Sequence, residues 1–123
     1  VSLLPMKNDG DIKKFEPVLS PLEFDALKIL WEHKKMRVRD IYETLKPTKK
    51  VALSSVAVIL DRLHEKGIVG REIQTGRGGL RYLYYPLKDK KQFEKSVIED
   101  SVNSIIDRFG RSAVSYFNER FAK

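Results

Sequence analysis

Apolar residues recur at helical spacing just after the first eighteen positions, and the pattern has a clear beginning. In Ser20-Pro21-Leu22-Glu23, serine can cap a helix, proline suits the first helical position and glutamate completes a capping box. The helix is predicted to end near His33, and residues 36–38 favour a short strand. Its apolar face comprises Leu22, Ala26, Leu27, Leu30 and Trp31.

Two further helices are predicted before residue 70. One covers residues 40–45, with Val38, Ile41 and Leu45 facing inward, and ends before Pro47. The next is predicted to begin with Ser54 and Ser55 as capping residues and to stop at Gly67. Its inward face comprises Val56, Ile59, Leu60 and Leu63.

A hairpin is predicted directly after the third helix. Residues 71–75 and 80–85 are rich in strand-forming side chains and flank Gly76-Arg77-Gly78-Gly79, while Pro86 is expected to break the hairpin. A helix followed by a hairpin with a basic tip is typical of winged-helix proteins. In that layout a helix enters the DNA major groove, and a cation of the wing reaches the backbone or the minor groove.

The last third of the chain predicts two more helices, from about Asp89 and divided at Gly110. The apolar residues between positions 93 and 109 are interpreted as one stripe, which continues to Phe121. One small domain cannot easily cover this surface, so a homodimer is predicted, and a helix folded back on its own domain is the alternative. The predicted dimer contacts are Phe93, Val97, Val102, Ile105, Ile106, Phe109 and Phe117.

The predicted fold class is therefore mainly α with a small antiparallel β-wing, that is, α+β. We expect an N-terminal arm over residues 1–18, a winged helix-turn-helix DNA-binding domain over 19–87 and a helical dimerisation region over 88–123. A chain of 123 residues has room for one modest core plus such an appendage.

Charge supports a nucleic-acid partner. The net charge is +7, and residues 37–87 carry ten Lys or Arg against five Asp or Glu, so the excess coincides with the predicted third helix and hairpin. Within this set Ala57 and Val58 cannot donate hydrogen bonds to bases, and phosphate would repel Asp61. The predicted contacts to double-stranded DNA are Lys49, Lys50, Ser54, Ser55, Ala57, Val58, Arg62, Arg71, Arg77 and Arg81.

Other kinds of site find little support. Cysteine is absent, His33 and His64 stand alone, and no metal-binding, phosphate-cradle or nucleophile motif occurs. We therefore expect no enzyme activity, no metal and no cofactor. No apolar run approaches a membrane span and the start has no signal-peptide pattern, so a cytoplasmic protein without a membrane partner is expected.

Residues at characteristic positions along the chain match a known family, namely Glu23, Leu30-Trp31, Val38-Arg39-Asp40-Ile41, Leu45, Ser54-Ser55-Val56, Leu60, Arg62-Leu63, Lys66-Gly67, Tyr82-Leu83-Tyr84, Pro86-Leu87 and 105–110. With these residues in this order, the chain resembles the penicillinase-repressor family, the winged-helix repressors of β-lactamase and methicillin-resistance genes. The resemblance covers roughly residues 19–121 and implies a homodimer that represses transcription from a palindromic operator. Polar or basic residues are usual in that family at the positions of Ala57 and Val58, and the copper-responsive branch uses cysteines that this chain lacks.

Two alternatives stay open from the sequence. A MarR-like relative is one, because related winged-helix families share the element around Arg62-Leu63 and Lys66-Gly67. A winged-helix protein-interaction module within a larger assembly is the other, in which Ala57 and Val58 would form part of a contact surface. Salt-dependent binding to duplex DNA would distinguish this module from a regulator.

Overall fold

The computed structural model describes residues 19–122, which form two compact units divided between Lys90 and Lys91. The predicted arm over residues 1–18 lies outside the described residues, and the domain boundary at residue 88 stays a prediction. The elements are α1 (Pro21–His33), β1 (Met36–Arg37), α2 (Val38–Leu45), α3 (Leu53–Glu65), β2 (Val69–Gly76), β3 (Gly79–Pro86), α4 (Lys90–Phe109) and α5 (Arg111–Phe121).

Helix α1 begins as its sequence predicts. The Ser20 hydroxyl accepts a hydrogen bond from the Glu23 backbone N–H at 3.2 Å, and the Glu23 carboxylate accepts one from the Ser20 backbone N–H at 2.8 Å. This reciprocal box satisfies two donors, one at the helix end and one on the capping residue. The helix then buries a wide apolar face made of Phe24, Ala26, Leu27, Ile29 and Leu30.

The core of the first unit lies among α1, α2, α3 and the sheet. Helix α2 contributes Ile41 and Leu45, and the sheet contributes Val69 and Tyr84, all of them buried. Helix α3 contributes Val56, Ile59, Leu60 and Leu63, which recur at helical spacing. Because these four side chains are fixed in the core, the opposite face of α3 is turned to solvent.

The wing belongs to a three-stranded antiparallel sheet with the order β1-β3-β2. The prediction of a two-stranded wing was therefore incomplete, because the short strand Met36–Arg37 pairs with β3. Pro86 does not break the hairpin but is the last residue of β3, opposite Val69, a position where its missing N–H is tolerated. At the tip Gly79 has φ 101°, which favours glycine.

The predicted start of α3 was wrong by one or two residues. The helix begins at Leu53, and the carbonyl of Ala52 accepts hydrogen bonds from the backbone N–H groups of Ser55 and Val56 at 3.1 and 3.2 Å. Ser54 and Ser55 thus lie inside the first turn and do not cap it, because the chain leaves its extended conformation at Ala52. Both side chains are exposed.

The predicted end of α3 is confirmed. Gly67 has φ 76°, its N–H donates to the His64 carbonyl, and the N–H of Ile68 donates to the Leu63 carbonyl, both at 3.0 Å. These two bonds form the helix-ending arrangement that a left-handed glycine permits. The chain therefore turns sharply from α3 into β2.

Two ion pairs attach both ends of α3 to α1. Glu23 is 3% exposed and lies 2.8 Å from Lys66, the residue that follows the helix. Asp25 is 7% exposed and lies 3.1 Å from Lys49 in the turn before the helix. Lys49, predicted as a DNA contact, thus forms an ion pair within the protein. These pairs hold the helix at a fixed position against α1.

Glu23→Gln is expected to lower the free energy of unfolding at pH 7 by about 1–3 kcal/mol, since it weakens a buried, charge-assisted network. Burial disfavours the charged carboxylate, but the hydrogen bonds from Lys66 and Ser20 outweigh this and hold the pKa of Glu23 below its ordinary value. The carboxylate's contribution is therefore present above the ordinary value and is lost as pH falls through the folded-state pKa. Denaturant titrations of both proteins between neutral and acid pH would measure it.

The control for this experiment is Glu32→Gln, on the same helix but with a side chain 57% exposed. That substitution should change stability little at any pH. An equal loss in the control, or a loss from Glu23→Gln that does not shrink in acid, would contradict the assignment.

Candidate nucleic-acid interface

The outer face of α3 is a continuous exposed surface. Ser54, Val58 and Asp61 follow one another at steps of four and three residues, and Val58 is 48% exposed. Ser55 and Arg62 flank this line on one side, and all are accessible. Five predicted DNA contacts, namely Ser54, Ser55, Ala57, Val58 and Arg62, thus share the surface that could enter a groove.

Half of the cations in residues 37–87 are held in ion pairs. Besides Lys49 and Lys66, described above, Arg37 pairs with Asp40 and Lys46 with Glu43, at 3.2 and 3.1 Å. Arg71 pairs with Asp61 at 3.1 Å. The cations that form no ion pair with another described residue are Arg39, Lys50, Arg62, Arg77 and Arg81.

Four of these five cations lie on α3, on the turn before it or on the wing, and Arg39 lies on α2. Arg62 is on the outer face of α3, and Lys50 is exposed in the turn that precedes it. Arg77 is exposed at the tip of the wing, and Arg81 is half-buried on β3. Asp40, whose pKa is lowered mainly by its hydrogen bond from Arg37, also feels the charge of Arg81.

The three wing arginines have different surroundings. Arg71 is on the hairpin face that includes Tyr82 and Tyr84, whereas Arg81 pairs with Gln74 in the register and points to the other face. The guanidinium of Arg71 lies 3.4 Å from the Tyr84 hydroxyl and 4.2 Å from the centre of the Tyr82 ring. Arg71 therefore differs from Arg77, which extends into solvent at the tip.

Sequence reasoning missed Arg39 as a candidate contact. Arg39 is exposed on α2, away from the buried Ile41 and Leu45. The exposure of Arg39 could have been predicted from the helical period, because Ile41 and Leu45, two and six positions further along, lie on other faces of α2. The ion pairs of Lys49 and Arg71 join residues distant in the sequence, so no local pattern indicated them.

The second unit exposes an apolar surface of its own. Ile98, Val102, Ile105 and Phe109 follow one another at steps of four, three and four residues along α4 and are exposed or half-buried. Phe93 is buried and lies about 160° round the helix from Phe109, so the predicted single stripe is in fact two faces. Between α4 and α5 is a cleft of about 270 Å³, lined by Ile105, Phe109, Ser112, Ala113, Tyr116 and Phe117.

Comparison with known proteins identifies the family. The sequence profile of the penicillinase repressor family matches residues 19–122. The chain belongs to the penicillinase repressor family. It is thus a transcriptional regulator of a DNA-binding, winged-helix family, as the resemblance predicted. A search of curated protein sequences gave no significant match.

Solved structures support the fold. A possible transcriptional regulator from Methanosarcina mazei Go1 is 24% identical with a TM-score of 0.65, over 87% of each chain. The DNA-binding domain of the repressor BlaI is 24% identical with a TM-score of 0.52, over 62% of this chain and 88% of that one. The repressor MarR is 15% identical with a TM-score of 0.51, over 91% and 83%. These similarities confirm the predicted winged-helix fold.

No helix within residues 19–122 is long and apolar enough to cross a membrane. The same part of the chain contains no group of three or more histidine, cysteine, aspartate or glutamate residues that could hold a metal ion.

Proposed function

We propose that this protein is a repressor that binds a palindromic operator as a homodimer, with α3 in the major groove and the wing along the backbone or minor groove. The observation that carries the proposal is a set of five cations that form no ion pair within residues 19–122, namely Arg39, Lys50, Arg62, Arg77 and Arg81. A cation already neutralised by a carboxylate contributes less binding affinity on contact with a phosphate than one of these five cations does. A reporter gene whose promoter contains a duplex sequence that the protein selects from a random pool should be transcribed less when the protein is present.

Base recognition by α3 would combine few hydrogen bonds with apolar contact. The hydroxyls of Ser54 and Ser55 form no hydrogen bond within residues 19–122 and are exposed, so they can donate to bases or phosphates. Ala57 and Val58 can only touch apolar groups such as the thymine methyl. The protein would therefore depend strongly on DNA shape and on backbone contacts for its specificity.

Dimerisation would compensate for the low affinity of a single α3 helix for its half-site. The exposed stripe of Ile98, Val102, Ile105 and Phe109 is suited to pairing with its own copy about a two-fold axis. Two linked α3 helices can then occupy half-sites about 34 Å apart on one face of DNA. Linkage raises affinity through effective concentration without new base contacts.

Arg77→Ala tests the role of the wing. It should weaken binding to all duplex sequences by a similar factor and reduce the slope of log affinity against log salt by about 0.9, because one phosphate contact is lost. Fluorescence anisotropy titrations at several salt concentrations would measure both. Lys34→Ala removes the same charge from an exposed position outside the interface and should leave the slope unchanged. Equal slopes for native protein and Arg77→Ala would exclude the wing tip from the interface.

A specific observation also favours a second candidate, a protein-interaction module. Ile73, Leu80 and Tyr82 lie on one face of the wing and are 61%, 71% and 41% exposed. Together with the exposed Val58, these side chains give the first unit accessible apolar surface that contacts with phosphate would not use. Binding to duplex DNA that is absent, or that does not depend on salt, would favour the module.

A further inference from the structure

Asp61 presents a difficulty for any helix that approaches DNA. It lies on the outer face of α3, in line with Ser54 and Val58, and its side chain is 55% exposed. A carboxylate at this position would be repelled by phosphates on either side of a groove, where exposed charges interact over about 10 Å at ordinary salt. Something must compensate for this charge if α3 is to enter the major groove.

Arg71 is placed to do so. Its Nη1 atom lies 3.1 Å from Asp61 Oδ1 and 3.4 Å from the Tyr84 hydroxyl, so one guanidinium joins the helix to the wing. The Tyr82 ring lies beneath the guanidinium at 4.2 Å from its centre. Only 24% of the Arg71 side chain is exposed. A planar cation held by a carboxylate, a hydroxyl and a ring has little freedom to reach a phosphate.

The opposite face of the same strand is also attached. Glu72, the next residue of β2, forms an ion pair with Lys35, and the Lys35 ammonium lies 5.5 Å from the centre of the Tyr85 ring. Successive side chains of a strand point to opposite faces, so Arg71 and Glu72 hold β2 from two sides. The base of the wing is thereby fixed relative to α3, while its tip extends beyond these contacts.

We propose that Arg71 is a positioning residue for DNA binding, which neutralises Asp61 on the outer face of α3 and fixes the wing to that helix, and does not contact phosphate directly. This inference rests on the proposed function, since it concerns how α3 and the wing approach duplex DNA. It reassigns one of the contacts predicted from the sequence. It also gives Asp61 a defined partner, so the carboxylate acts as an anchor for the wing.

A double-mutant cycle distinguishes a positioning role of Arg71, which acts through Asp61, from a direct contact of Arg71 with phosphate. The probe is a fluorescein-labelled duplex selected by the native protein from a pool of random sequences, and affinities are measured for the native protein, Arg71→Ala, Asp61→Asn and the double variant. Arg71→Ala alone should weaken binding by about tenfold, because it exposes the charge of Asp61 and frees the wing. With asparagine at position 61, the same change should weaken binding by less than about threefold, because no charge remains to be neutralised.

Arg77→Ala in the same two backgrounds is the matched control. A direct phosphate contact at the tip should lose the same factor whether position 61 is aspartate or asparagine, with a change in salt slope of about 0.9 in each. If Arg71→Ala behaves as this control does, Arg71 contacts phosphate and the proposal is overturned, while the proposed function stands. If the native protein itself binds no duplex, the proposed function is contradicted, and the role proposed for Arg71 is contradicted with it. Thermal unfolding of each variant, followed by circular dichroism, identifies any loss that arises from misfolding.

Discussion

Replacing Ile105 and Phe109 together with glutamate is expected to produce a monomer that binds the operator at least about a hundredfold more weakly. The two side chains are 42% and 59% exposed and lie on the same stripe of α4, so their replacement removes accessible apolar surface. Charges placed on both copies of an isologous interface repel each other and are costly to bury. The loss of effective concentration then lowers operator affinity by a factor of about 10² to 10⁴.

Asn103→Glu provides the matched control for that experiment. Asn103 is exposed on α4 but lies well round the helix from Ile105 and Phe109, so its replacement adds a charge without touching the stripe. This variant should remain dimeric by light scattering and keep native affinity. A double variant that stays dimeric, or a monomer that keeps full operator affinity, would refute the dimerisation proposal.

Val58→Asp is expected to have the second-largest effect, a loss of operator affinity of about a hundredfold with little change in stability. Val58 is 48% exposed in the middle of the outer face of α3, so the substitution leaves the core intact. A carboxylate there would face bases and phosphates at close range, and a like-charge contact costs several kcal/mol in a desolvated interface. An ion pair between the new carboxylate and Arg62, four residues along the helix, would withdraw that arginine from its proposed phosphate contact.

The control for Val58→Asp carries the same change of charge elsewhere. Asn103→Asp alters an exposed position that belongs neither to α3 nor to the wing and should leave affinity within about twofold of native, because exposed charges are screened by salt. Anisotropy titration and thermal unfolding of both variants would be compared. Native affinity for Val58→Asp would show that α3 presents another face to DNA.

Much of the fold could be predicted because its signals are local. The capping box at Ser20 and Glu23, the apolar repeat of α3 and the glycine at position 67 each act within one or two helical turns. The start of α3 was misplaced because serine is a strong capping residue, whereas Ala52 leaves no such signal. The pairing of β1 with β3 was missed because it joins residues more than forty positions apart, beginning with Met36 and Tyr84.

The candidate site was only partly predictable for the same reason. Periodicity indicates which residues of α3 face outward, and so it selects Ser54, Val58 and Arg62. It does not indicate which cations are neutralised, because that depends on contacts between distant segments, as for Lys49 with Asp25. The division of the apolar residues of α4 into two faces could have been predicted from the sequence, because the angle between Phe93 and Phe109 follows from helix geometry alone.

The most direct test of the proposed function is to sequence the duplexes that the native protein retains from a pool of random DNA. A homodimer that presents two α3 helices should enrich an inverted repeat, with half-sites centred about 10–10.5 base pairs, or a multiple of that spacing, apart. Enrichment of a single asymmetric site, or of no sequence at all, would contradict a two-fold dimer that recognises its operator through α3.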